Sequence, residues 1–202
     1  MAQDRLIVAL EGLQEEWRRL GAPVRDHLAP GRPVEETSAL LAGKGLSAPA
    51  EVVALWAWAD GTEPRGSYWS FGPGNGAFLS VEESLVRYDM NREIHQQGDD
   101  PDLPDMYWHA TWLPIFVLDL DSFRIYIDVS RVGPDGACPV RVVTWEWEQF
   151  DVDQTGSIAE LIELWTEALR SDLYQLVTPP SGDVFFEPRD LSHRGPVPPL
   201  LS

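Results

Sequence analysis

The chain has 202 residues, 44% of them hydrophobic, a single cysteine, and a formal net charge of −18 from 33 acidic and 15 basic side chains. This length suits one domain that can bury a core without disulfides, and one cysteine excludes an internal disulfide framework and favours a reducing compartment. The negative charge argues against binding to nucleic-acid phosphates or to an anionic membrane. It is compatible with simple solubility, and it also favours a basic protein partner steered by complementary charge.

The N-terminus predicts no targeting segment. A basic region followed by an apolar stretch is missing from Met1–Arg5, and Glu11 and Gly12 interrupt the apolar residues that follow. No apolar run approaches the ~20 residues that a membrane-spanning helix needs. We therefore expect a soluble, cytoplasmic protein.

Helices dominate the first third of the predicted structure. The first covers residues 4–20 and stops at Gly21, because large apolar residues recur at spacings of four and three. A connector follows, and then a short helix over 34–43. A third helix starts near Pro49 and ends at Asp60-Gly61. The apolar stripe of the first helix consists of Leu6, Leu10, Leu13, Trp17 and Leu20.

The middle of the chain predicts a short strand over Tyr68–Phe71, then a helix. Ser80 and Glu83 form a capping box that opens this helix, which runs to about Gln96 with Val81, Leu85 and Tyr88 on one face. The following segment, 98–105, is rich in aspartate, proline and glycine and predicts an exposed acidic loop.

Residues 112–129 predict a β-hairpin with a turn at about Leu118–Ser122. In the second strand Phe123, Ile125 and Ile127 alternate with polar-facing positions, so we expect one face to be buried. The alternating partners on the other face are Arg124, Tyr126 and Asp128.

The last third predicts a turn at Gly133–Gly136, a strand over Val140–Trp147 and a final helix. Ser157 and Glu160 form a second capping box. The helix that follows carries one apolar stripe, made of Ile158, Leu161, Ile162, Trp165 and Leu169. Residues 178–202 are proline-rich with little periodicity, so we expect a single domain over 1–177 and an extended tail over 178–202 outside the core.

The order of these elements resembles the SUKH superfamily, the Smi/Knr-like cell-wall regulators and related bacterial proteins. The resemblance rests on Asp60-Gly61 after a helix, on Trp112-Leu113-Pro114-Ile115, and on Tyr126-Ile127-Asp128. It implies an α+β fold with a mixed or antiparallel sheet packed by helices, and structural roles for Asp60, Gly61, Trp112, Pro114 and Asp128. It also implies a binding module that is not an enzyme, uses no cofactor, and in bacteria often serves as an immunity protein that neutralises a toxin.

The sequence offers only weak signals for a metal, nucleophile or carbohydrate site. Asp119, Asp121 and Asp128 could hold a divalent metal, but the first two lie where a turn is expected and an EF-hand spacing is absent. No histidine pair has the helical spacing of a zinc motif. Cys138 has no basic neighbour and reads as an inert thiol. Nine tryptophans invite carbohydrate binding, but large aromatic residues mostly fill cores and interfaces.

A protein-binding surface is the favoured prediction. Besides forming a solvated loop, the acidic segment could extend a negative face with the preceding helix and imitate nucleic-acid phosphates towards a basic toxin, with Trp108 as an exposed anchor. The residues of this predicted face are Asp99, Asp100, Asp102, Asp105, Glu82, Glu83, Glu93 and Trp108. The alternatives are a regulatory or scaffold domain of the same fold and, more remotely, a hydrolase with a carboxylate metal site.

Overall fold

The protein has an α+β fold, seen in a computed structural model that describes residues 1–62, 70–73, 76–97, 108–118, 123–144, 154–180 and 182–190. Among these residues the helices are α1 (Ala2–Leu20), α2 (Val34–Gly43), α3 (Ala50–Trp58), α4 (Val81–Gln97) and α5 (Ile158–Arg170). A short 3-10 helix lies at Pro23–His27. None of the helices in the described ranges combines the length and apolar character needed to cross a lipid bilayer.

The strands of the described ranges form three antiparallel sheets. The largest has four strands in the order β3 (Gly76–Phe78), β4 (Trp112–Leu118), β5 (Phe123–Asp128) and β6 (Val140–Thr144). A smaller pair joins β1 (Leu28–Pro30) to β2 (Ala59–Thr62), and another joins β7 (Tyr174–Val177) to β8 (Phe185–Pro188).

The core confirms the predicted helical stripes. α1 packs against α5 and α3, and the stripe residues of α5 are fully buried. An aromatic cluster joins this helical layer to the sheet: Phe116 on β4 lies 5.1 Å from the Trp165 ring on α5, and Phe71 lies 5.1 Å from Trp17 on α1. Gly21 ends α1 in the left-handed conformation (φ 71°), as its sequence position predicts.

Strands β4 and β5 pair as the predicted hairpin requires, and residues 119–122 of its predicted turn lie outside the described residues. The expectation of a half-buried second strand is wrong. Trp112 pairs with Asp128 and Leu113 with Ile127, and a bulge lies between Pro114 and Phe116. Tyr126 and Asp128 are buried as fully as Ile127 on the opposite face. Helix α4 covers this second face, and its Asn91 amide donates to the Tyr126 hydroxyl at 3.0 Å.

Two local predictions also differ from the structure. Helix α3 ends at Trp58 and not at Asp60-Gly61, because Ala59 is extended (φ −157°) and begins β2. Of the strand predicted at Tyr68–Phe71, Tyr68 and Trp69 lie outside the described residues, while Ser70 and Phe71 are not in a strand. The strand of this region is β3, at Gly76–Phe78.

The C-terminal segment is part of the fold, contrary to the predicted tail beyond residue 177. Strand β8 pairs with β7, and Val184 and Phe186 are fully buried. The backbone amide of Ser70 also donates to the Val184 carbonyl at 3.0 Å. The prolines of this segment flank β8, which is held in place by contacts with distant parts of the chain, and local periodicity does not reveal such contacts. Residues 191–202 lie outside the described ranges.

Glu51 is a fully buried carboxylate near the start of α3. Its Oε1 accepts from the Ala159 amide at 2.8 Å and its Oε2 from the Cys138 amide at 3.1 Å. Burial raises the pKa of Glu51 above its ordinary value, although hydrogen bonds from the backbone of Ala159, Cys138 and Ile158 act in the opposite direction. This side chain therefore ties α3 to the start of α5 and to the loop before β6.

Candidate functional site

Helix α4 is fastened firmly at its N-terminus. The Ser80 hydroxyl accepts from the Glu83 amide at 3.2 Å, and the Glu83 carboxylate accepts from the Ser80 amide at 2.9 Å, which completes the predicted capping box. Asp60 adds a second cap, because its Oδ1 accepts from the Val81 amide at 2.9 Å. Gly61 is required beside it: its φ is 85°, and a Cβ there would lie 2.4 Å from the Ser80 nitrogen.

Arg32 joins the loop before α2 to the start of α4. Its guanidinium donates to Asp60 at 2.8 Å and to Glu36 at 2.5 Å, and Nη2 lies 2.6 Å from a carboxylate oxygen of Glu82. At the other end of α2, Lys44 pairs with Asp89 on α4 at 2.5 Å. These contacts hold α2 and α4 side by side.

The inner face of α4 packs on the hairpin through buried hydrogen bonds. The Ser84 hydroxyl donates to the Pro114 carbonyl at 2.5 Å, and the Tyr88 hydroxyl donates to the Ala110 carbonyl at 2.9 Å. Asn91 binds the Tyr126 hydroxyl and accepts from Arg124 at 2.9 Å. Because polar anchors recur along α4 from Ser84 to Asn91, this part of the helix presents its opposite face on a rigid support.

The outer face of α4 carries an exposed apolar row, formed by Val86, Met90 and Ile94. These side chains are 60%, 52% and 61% exposed and recur every four residues, so they lie in line on one side of the helix. Glu93 follows Met90 by three residues and Glu83 precedes it by seven, which places both exposed carboxylates beside the row. The outer face thus combines apolar and acidic groups.

The predicted acidic face is only partly assembled by the described residues. Asp99, Asp100, Asp102 and Asp105 lie outside them. Glu82 is paired with Arg32 and Glu83 with the capping box, whereas Glu93 is exposed and forms no ion pair within the described ranges.

Trp108 is not an exposed anchor. It is 5% exposed, and its ring lies edge-on to Tyr88 at 5.4 Å and 5.8 Å from the His95 ring. It is part of the packing beneath α4, so the apolar contacts available to a partner come from Val86, Met90 and Ile94 instead.

The open end of the hairpin holds a second polar cluster, centred on Asp128. Its Oδ1 accepts from the Ser130 amide at 3.1 Å, from the Ser130 hydroxyl at 2.6 Å and from Thr111 at 2.8 Å. Burial opposes ionisation of Asp128, but these hydrogen bonds outweigh it and lower the pKa of the carboxyl. Asp128 thus holds the turn of the backbone at the end of β5.

Trp112 and Pro114 lie in the first strand of the hairpin, β4. Trp112 is buried, with the Arg141 guanidinium 4.7 Å above its ring and the Tyr126 ring at 6.2 Å. Pro114 opposes Tyr126 at the start of the bulge, where a missing amide hydrogen is tolerated.

Within the described residues, no three histidine, cysteine, aspartate or glutamate side chains are grouped as metal ligands. Of the three aspartates that could hold a divalent metal according to the sequence, Asp119 and Asp121 lie outside those ranges. Cys138 is fully buried, and burial raises the pKa of its thiol to about 12, which keeps the thiol protonated at neutral pH.

The sequence analysis did not identify the apolar row of α4, because the same helix carries a second apolar stripe that faces the core. Val81, Leu85 and Tyr88 predict that inner stripe correctly. The spacing of Val86, Met90 and Ile94 was a usable signal, since it marks a second apolar stripe displaced around the same helix.

Comparison with known protein families finds no match for this chain, and no characterised protein matches it either.

Proposed function

We propose that this protein is a SUKH-like binding module of the immunity type, which occludes a basic toxin domain in the cytoplasm and has no turnover of its own. The observation that carries the proposal is the exposed row of Val86, Met90 and Ile94 on a rigidly anchored helix. Exposed apolar side chains that are aligned on one element are typical of protein-interaction surfaces.

The charge of the chain supports a basic partner. A net charge of −18 steers a cationic domain towards this surface and speeds association at low salt. Glu93 and Glu83 supply local negative charge beside the apolar row. A toxin that cleaves nucleic acids would carry a basic site for phosphates, and the acidic surface of this chain would occupy that site in their place.

The test is affinity capture from the native host with the full chain, followed by a toxicity assay. The captured protein should be basic, should arrest growth when expressed alone, and should be harmless when co-expressed with this chain. Reversal of Asp99, Asp100, Asp102 and Asp105 to lysine should slow association. An acidic partner, or a basic partner whose toxicity is unaffected by co-expression, contradicts the proposal.

A further inference from the structure

The apolar row of α4 has a defined size and direction. From Val86 to Ile94 it spans eight residues, or about 12 Å along the helix axis. Elsewhere in the described ranges the exposed large apolar side chains stand on other elements: Met1, Val8, Val34 and Val132. The row is therefore a narrow convex ridge with the i, i+4, i+8 spacing that packs between the ridges of a second helix.

Two exposed carboxylates, Glu83 and Glu93, border this ridge, and the cation next to it on the helix, Arg87, acts on the buried Tyr126 hydroxyl beneath α4. Arg92 is directed away from it, with its guanidinium 3.3 Å from Asp89 and 6.0 Å from the Tyr88 ring. Arg32 and Lys44 are each held by carboxylates. A molecule that covers Met90 therefore comes close to Glu83 and Glu93.

We propose that the α4 ridge receives an amphipathic α-helix of the partner whose apolar face is bordered by lysine or arginine. This inference rests on the proposed function and specifies the partner's contacting element. The apolar face would cover Val86, Met90 and Ile94, and the cationic border would meet Glu83 and Glu93. A second copy of the chain is disfavoured, because it would bring two acidic borders and two charges of −18 together.

The probe is a designed peptide of about 18 residues, long enough to form a helix on binding, with leucines on one face and lysines beside them. A matched peptide carries glutamates in place of the lysines. Calorimetry with the full chain should detect the lysine peptide and not the glutamate peptide. Met90→Ser should weaken binding about tenfold. Glu93→Gln should weaken it less and reduce its dependence on salt.

The control is Val8→Ser, which removes an exposed apolar side chain from α1 and should leave affinity unchanged. Urea unfolding of each variant checks that the fold is intact. The inference is overturned if the lysine peptide does not bind, if Met90→Ser binds it as the parent does, or if sedimentation shows a dimer that Met90→Ser dissociates. In those cases capture of a basic toxin still supports the proposed function, whereas failure of that capture overturns the proposed function whatever the peptide does.

Discussion

Replacement of Glu51 probes how the helices are joined. In Glu51→Gln one oxygen remains as an acceptor, while the new NH₂ group faces an amide hydrogen of Ala159 or Cys138. A buried amide left without an acceptor costs about 1–3 kcal/mol, so we expect that loss in the free energy of unfolding. Glu51→Ala leaves both amides unsatisfied and opens a cavity, and should cost about 3–5 kcal/mol.

Urea denaturation followed by tryptophan fluorescence measures both variants. Glu35→Gln is the matched control, because Glu35 is an exposed glutamate in the first turn of α2 and should change stability by less than about 0.5 kcal/mol. The bridging role of this carboxylate is refuted if Glu51→Gln has the same free energy of unfolding as the parent, or if Glu51→Ala loses no more of it than Glu51→Gln.

The same carboxyl has a pH signature. Because the pKa of Glu51 is raised in the folded state, its stabilising contribution is complete below the unfolded-state value of ~4.3 and is lost as pH rises through the folded-state value. The difference in unfolding free energy between the parent and Glu51→Gln should therefore narrow as the pH rises above the unfolded-state pKa, at up to ~1.4 kcal/mol per pH unit. A difference that widens over this range contradicts the raised pKa.

Three further substitutions test the placement of other side chains by urea unfolding. Trp112→Ala should cost about 3–5 kcal/mol, since the indole is buried between Tyr126 and Arg141. A variant as stable as the parent would show that the indole is exposed. Gly61→Ala should lower the free energy of unfolding by about 2–4 kcal/mol, because the new Cβ would strain the left-handed backbone and clash with Ser80. An unchanged free energy of unfolding would contradict this backbone conformation. Phe186→Ala should lower the free energy of unfolding by about 3–5 kcal/mol, because the ring is buried. Its control, Glu187→Ala, changes an exposed residue of the same strand and should have little effect. If both variants lose equally little stability, β8 lies outside the core.

Local signals predicted the helices well. The stripes of α1 and α5, the capping box at Ser80, the N-cap at Ser157 and the stop at Gly21 each depend on residues within a few positions of one another. The box predicted at Ser157 is only half formed, because the Glu160 carboxylate accepts from the Gly156 amide. The physics that decides these features is short-range, so one sequence is sufficient to predict them.

The features that sequence reasoning missed depend on distant parts of the chain. Tyr126 lies on a face that alternation assigns to solvent, and it is buried only because α4 crosses over it. Phe186 is in a proline-rich segment, and its burial follows from pairing with β7. In the sequence Glu51 looks like an ordinary glutamate in the first turn of a helix. Its role becomes visible only in the fold, where the Ala159 amide of α5 donates to its carboxylate. For the candidate site the sequence pointed to the acidic loop 98–105 and the helix before it and made Trp108 an exposed anchor, but Trp108 is buried, and the exposed row on α4 was not singled out.

The most direct measurement of the central claim is the association kinetics of this chain with its captured basic partner at increasing salt. We expect the association rate to fall steeply as ionic strength rises, because exposed charges are screened over ~10 Å at 0.1 M salt. Met90→Ser should mainly accelerate dissociation, while Val8→Ser leaves both rates unchanged. Rates that do not respond to salt, or a dissociation rate that Met90→Ser leaves as it was, would contradict an acidic, α4-centred binding surface.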